Sequence, residues 1–255
     1  MRTFWTWCLV LLAMGQAHAA CTRVLRTAWS DWPPYSMADA QGKPVGLDVE
    51  LLQRVAQEAG CALQFTGDIP AKRQLVLMQS GEQDIQLAAS ITPEREAFAW
   101  FSPDYRHETV ALLVRPESVK QLHIKDLQQL ADDDMAVVAP FNGWYGPAYA
   151  ELLPKLEKLG RLRLFKNTAQ GLELLNTRRG DVLVGDLYSF LYVARQLGMP
   201  VPQSLSLAVN DDVVHFMFSK KSVPLQDVNT MNEALRRLKR NGELKKIIDR
   251  YDVAK

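Results

Sequence analysis

Between Val24 and Gly185 the chain passes twice through one series of segments: apolar strand, amphipathic helix, strand, helix, strand. The first pass predicts strands over Val24–Trp29, Ala62–Phe65 and Ile85–Ala89. Asp48 is placed to cap the first helix, whose Leu51, Leu52, Val55, Ala56 and Ala59 keep helical spacing up to Gly60. A second helix spans Pro70–Ser80 and closes at Gly81. The second pass predicts strands over Met135–Ala139, Arg161–Phe165 and Val182–Gly185, with helices over Pro147–Leu159 and Thr168–Thr177. Even the turns before the third strands are alike, Gly81-Glu82-Gln83-Asp84 and Arg179-Gly180-Asp181. Short strands alternating with helices build parallel sheets covered on both faces. The expected fold class is α/β, and two such units in tandem predict two parallel-sheet lobes.

Segments outside the repeat add strands at Thr109–Val114 and Val213–Phe218. The chain then turns helical. Asp227 opens a helix bearing Met231, Ala234, Leu235 and Leu238, Gly242 breaks it, and Glu243–Tyr251 adds a short one. The basic residues of this pair, such as Arg236, Lys239 and Lys246, have no interleaved aromatics and read as a solvated face.

Arg2, an apolar run from Phe4 to Met14 and Ala17-His18-Ala19 form a secretory signal peptide over residues 1–19. The run is too short for a stable membrane span, and no later stretch reaches about 18 apolar residues. Removing the signal takes away Arg2 and no acid, so 30 basic residues against 29 acidic become an even balance. A neutral chain offers nucleic acid or an anionic membrane no electrostatic attraction. Export puts the mature chain where disulfides persist. Cys21 and Cys61 each precede an apolar run. If those runs are neighbouring parallel strands, the two thiols lie side by side, so a disulfide is predicted. Two free thiols are the alternative, and lipidation of Cys21 is a third possibility, with His18 standing where a lipobox wants leucine.

The chemistry concentrates in Asp84–Glu108. A buried strand ends in Ser90. Thr92 is a good helix N-cap, and Pro93 occupies the first helical position, where its missing N–H costs nothing. Ala97, Phe98 and Trp100 read as a continuation of that helix. Arg95 then falls in the first turn, against the positive end of the helix dipole. A bound anion resolves the conflict, held by free backbone N–H groups and a guanidinium fork. A solvated surface arginine is the plain alternative.

Strand, Ser90, Ile91-Thr92, Arg95 and Phe101-Ser102-Pro103-Asp104-Tyr105 resemble, in order, the motif of the family-3 bacterial extracellular solute-binding proteins, periplasmic receptors for amino acids and similar solutes. The resemblance extends over nearly all of the mature chain. It implies a type II two-lobed fold with a two-strand hinge crossing at Thr109–Val114 and Leu205–Val209: residues 20–112 plus 209–255 in lobe 1, and 113–208 in lobe 2. Ligands of open parallel sheets bind beyond the carboxyl ends of the strands. There the resemblance implies a carboxylate clamp of Ala88, Ser90 and Arg95, an aromatic wall at Trp32 beside Tyr35, and an ammonium acceptor at Asp186. Asp186 reads equally as the cap of the helix that follows, and Trp32 as a staple under its turn. Relatives place a hydroxyl residue or glycine at Ala88, and a Gly-Thr-Thr turn where this chain has Asn142-Gly143-Trp144-Tyr145-Gly146. The aromatics there suggest a bulkier pocket. Trp29 stands where some relatives keep an acid for cationic side chains, which argues against a lysine or arginine ligand.

No hydrolase elbow, zinc-protease helix, phosphate loop or dinucleotide glycine pattern occurs, and the histidines are scattered. The expectation is a monomeric periplasmic receptor, not an enzyme, without cofactor or metal. It captures a small amino-acid-like solute for an ABC permease or a membrane sensor. The competing reading is an exported dehydratase of the cyclohexadienyl or arogenate type, with Asp186 or Glu173 as its acid.

Overall fold

The computed structural model describes residues 21–141 and 143–251; the expected signal peptide and Asn142 lie outside the described residues. The chain opens with β1 (Leu25–Trp29), the two-residue strands β2 (Met37–Ala38) and β3 (Pro44–Val45), and α1 (Leu47–Ala59). Next come β4 (Leu63–Asp68), α2 (Ala71–Ser80), β5 (Ile85–Ala89), α3 (Pro93–Glu96) and β6 (Ala99–Phe101). β7 (Arg106–Val114) leads out to α4 (Gln129–Asp132), β8 (Val137–Pro140), α5 (Pro147–Lys158) and β9 (Leu162–Phe165). α6 (Thr168–Asn176), β10 (Val182–Asp186) and α7 (Leu187–Gln196) follow. β11 (Gln203–Ser219) leads back to α8 (Leu225–Arg240) and α9 (Glu243–Arg250).

Two lobes result. In the first, β4, β1 and β5 are parallel, and β11 runs antiparallel beside β5 and β6. Leu51, Leu52 and Val55 of α1 pack with Met231, Leu235 and Leu238 of α8 over Phe216 and Phe218. In the second, β9, β8 and β10 are parallel and β7 is antiparallel to β10. Val110, Leu112 and Val114 of β7 belong to that lobe's core. The two long strands cross between lobes as an antiparallel pair, from Gln203 opposite Val114 to Val214 opposite Arg106, with bulges between Ser204 and Asn210. Val213–Phe218 and Leu205–Val209, read apart in the sequence, are one strand.

The matching turns have one job. Asp84 accepts the amide of Arg26 at 2.7 Å, and Asp181 accepts that of Ala136 at 2.9 Å. Each aspartate ties the start of its lobe's third strand to the start of the first.

Three local expectations change. The helical run past Arg95 stops at Glu96, because Ala99–Phe101 finds ladder partners on β11. Asp227 lies inside α8, buried, accepting the amide and hydroxyl of Thr22. Asp48 does not cap α1: Gly46 occupies that position, and the carbonyls of Pro34 and Tyr35 take up the amides of Leu47 and Asp48. Only glycine fits there. At φ 120° a Cβ would lie 2.6 Å from the Tyr35 carbonyl oxygen.

Cys21 and Cys61 form a disulfide at a Cα–Cα separation of 4.9 Å, next to the paired strands β1 and β4. It closes a loop of 40 residues. Reduction, or Cys61→Ala, is expected to remove about 2–4 kcal/mol of stability. Thermal melts with and without reductant check this; coincident melts would mean that the first lobe does not depend on the bond.

Candidate functional site

A cavity of about 960 Å³ opens between the lobes. Its walls come from the residues beyond β1, β4 and β5 on one side and beyond β8, β9 and β10 on the other, as open parallel sheets require. Ser90 and Arg95 line it. The Thr92 hydroxyl accepts the Arg95 amide at 3.3 Å and Pro93 opens the turn, so α3 aims Arg95 back along the strand it follows. The guanidinium donates through Nη1 to the Ser90 carbonyl at 2.8 Å and, among the described residues, makes no ion pair. Burial disfavours its charge, while Glu94 and Glu108 partly restore it. A half-buried arginine on a cavity wall with no counterion among the described residues is electrostatically incomplete.

Ala88 lines the cavity in a left-handed conformation, φ 50°. Its amide is already committed to the Tyr105 hydroxyl at 2.9 Å. Of the three residues of the expected clamp, that leaves Ser90 and Arg95 as candidates.

Trp32 stands on the wall with its ring 4.6 Å from that of Tyr35. Tyr35 itself does not reach the cavity. It is 1 % exposed, and its hydroxyl donates across the cleft to Asp186 at 3.0 and 3.2 Å. Asp186 lines the cavity and also caps α7, accepting the Ser189 amide at 2.7 Å. The two sequence readings of this residue describe one carboxyl. Burial raises its pKa to about 6, against the pull of Arg106. From the second lobe, Gly143, Trp144 and Tyr145 complete the wall. Gly143 has φ 151°, and a Cβ there would lie 2.6 Å from the Tyr145 ring. Arg73 lines the outer part of the cavity, exposed. Glu173, an acid of the dehydratase reading, is exposed on α6 and is no part of the wall.

Beneath Trp32 lies a buried network that the residue-by-residue reading missed. Arg106 donates to both Asp48 oxygens, Nε to Oδ1 at 2.6 Å and Nη2 to Oδ2 at 2.8 Å. Its guanidinium carbon sits 3.9 Å from the Tyr35 ring centroid. Two residues on, Glu108 lines the cavity at 7 % exposure, and burial lifts its pKa to about 8. Strand alternation carries Arg106 and Glu108 to one face while His107 is exposed. Charges at alternate positions at the head of an apolar strand were the available signal.

Tyr35→Phe is expected to loosen the seam between the lobes. It deprives a buried carboxyl of a donor, which costs about 1–3 kcal/mol. Small-angle scattering of the unliganded variant should report a larger radius of gyration than wild type; an unchanged radius would mean that the bond does not hold the lobes together.

Residues 25–253 match the profile of the bacterial extracellular solute-binding proteins, family 3. The amino-acid-binding protein AabA of Dichelobacter nodosus is 24% identical over 193 residues, covering 73% of this chain and 72% of that one. A crystal structure of the ancestral amino acid-binding protein AncCDT-1, a precursor of cyclohexadienyl dehydratase, superposes with a TM-score of 0.72 at 25% identity, over 89% of this chain and 94% of that one. A histidine kinase sensor domain similar to periplasmic binding proteins reaches 0.76 at 20% identity, over 91% and 96% of the two chains. The architecture is the type II periplasmic binding protein fold.

Proposed function

Because the chain belongs to the bacterial extracellular solute-binding proteins of family 3, we propose that it is a periplasmic receptor that closes its lobes around a small polar solute, an amino acid or a related carboxylate, and delivers it to an ABC permease. The observation that carries this reading is Arg95, a half-buried guanidinium on the wall of the interlobe cavity that makes no ion pair among the described residues. The solute's carboxylate meets Arg95 and the Ser90 segment, its ammonium meets Asp186 from the other lobe, and Trp32 packs on the remainder. A ligand held by both lobes shifts the population toward the closed form. The bending is assigned to β7 and β11, near Thr109 and Asn210, where core packing passes from one lobe to the other. Titration calorimetry over an amino-acid panel, paired with small-angle scattering, tests it. A binder that compacts the protein is the expected result; a panel without a binder, or binding without compaction, refutes it.

Glu108 favours a second reading. A buried acid that keeps its proton at neutral pH is what a dehydratase requires. Incubation with prephenate or arogenate distinguishes the two: product formation that disappears in Glu108→Gln would establish the enzyme.

A further inference from the structure

We propose that Glu108 determines specificity: with Asp186 it forms a two-carboxylate seat for an ammonium or guanidinium group, so the solute this cleft prefers carries a net positive charge. The inference rests on the receptor reading and adds the solute's charge class to it, against the expectation drawn from Trp29, which lines the same cavity.

Glu108 is more than nine-tenths buried, lines the cavity, and among the described residues has neither a hydrogen bond nor an ion pair for its carboxyl. The nearest buried cation, Arg106, acts on it only through space and makes no hydrogen bond to it. Arg106 spends Nε and Nη2 on Asp48 and Nη1 on the His107 carbonyl at 3.2 Å. Every other charge that Glu108 feels at close range, apart from Arg95 on α3, is of its own sign: Asp186 from β10, Asp48 from α1 and Asp212 opposite it on β11. Tyr35 and Tyr145 face it as neutral phenols, their ionisation suppressed by burial. An ionised carboxyl in such a place is costly without a partner. Two outcomes satisfy it, a proton or a cation from the ligand. Arg95 can neutralise one negative charge in the seat or one on the ligand, but not both. A solute with a single carboxylate therefore needs more than one positive centre to satisfy Arg95, Asp186 and Glu108 together.

The chemistry makes binding and proton release one event. Without ligand, Glu108 holds its proton up to about pH 8 and Asp186 up to about pH 6. A cation favours the ionised carboxyl and expels that proton, so affinity rises from pH 6 to about pH 8 and then levels.

The test uses the mature chain and titration calorimetry in phosphate and in Tris, whose ionisation enthalpies differ. Probes are L-arginine, agmatine, putrescine, L-glutamine and L-glutamate. A cationic probe is expected to bind at least ~10-fold tighter than the neutral and acidic ones, releasing protons at pH 7 and none at pH 9. Glu108→Gln should weaken it by roughly 30-fold or more, as loss of one charge of a desolvated pair does, and should reduce the proton release. Preference for glutamine or glutamate with lobe closure keeps the receptor and sinks the seat. So does cation binding without proton release in the wild type, a result independent of whether the variant folds. Failure of all three cationic probes sinks the seat, and the receptor reading is then decided by the wider amino-acid panel.

Discussion

Arg95→Ala is expected to weaken solute binding by roughly 100-fold or more while leaving the melting temperature close to that of wild type. The two halves of this expectation share one cause. Arg95 makes no ion pair among the described residues, and its hydrogen bond to the protein goes to the Ser90 carbonyl. The turn that holds it is built by the Thr92 hydroxyl and the backbone, neither of which the substitution removes. The fold therefore loses one charge-assisted bond of about 1.5–3 kcal/mol and recovers part of that when the buried charge is relieved. The complex loses far more. Truncating one member of a desolvated charge pair costs about 2–5 kcal/mol, and every ~1.4 kcal/mol is tenfold in affinity. Arg95→Lys keeps the charge and loses the planar fork, so an intermediate loss is expected. Calorimetry of the three proteins against one carboxylate-bearing ligand decides the matter. Equal affinities would remove the guanidinium from the site.

What the sequence made legible was set by neighbours in the chain. Strand and helix periods, the αL glycines at Gly60 and Gly81, and the Thr92–Pro93 start are local properties, and each appears where the pattern put it. The disulfide was legible because both cysteines precede strands that proved adjacent. Errors fell where a distant segment decided. Asp48 has the local form of a helix cap, but the Pro34–Tyr35 turn supplies the capping carbonyls and Arg106 claims the carboxylate. Ala97 and Trp100 have helical spacing, but β11 offers Trp100 a ladder partner in Phe218. Within the site, Ser90, Arg95, Trp32 and Asp186 were reachable because each follows a strand end. Glu108 carried only the alternating-charge signal, because it sits within a strand, and only the crossing of β7 from lobe to lobe turns its face toward the cavity.

Arg106→Ala is expected to be the most damaging single substitution to stability, about 3–5 kcal/mol. For a chain of this size, at about 2–4 °C per kcal/mol, that is a drop of roughly 6–20 °C in melting temperature. Arg106 and Asp48 are 5 % and 1 % exposed and joined by two hydrogen bonds. Removing the cation strands Asp48 and deprives Glu108 and Asp186 of the charge that holds their pKa values down. The stacking on Tyr35 goes with it. The sign of the pH dependence follows. Glu108 already titrates near pH 8 in the folded chain, far above an unfolded glutamate. The stability that its protonated form contributes is fully present below the unfolded pKa and is lost as pH rises toward 8. Without Arg106 the folded pKa values of Asp186 and Glu108 rise further and the loss extends to higher pH, so the variant lies closest to wild type near pH 5. The gap widens above about pH 6, where wild-type Asp186 titrates, and again above about pH 8, where wild-type Glu108 does, to be larger at pH 9. Calorimetric melts at pH 5 and pH 9 measure the gap. Arg106→Met with Asp48→Leu should recover most of it, since a buried pair replaced on both sides leaves no stranded charge. A gap independent of pH would show that Arg106 matters through packing on Tyr35 and not as the counterion of the buried acids.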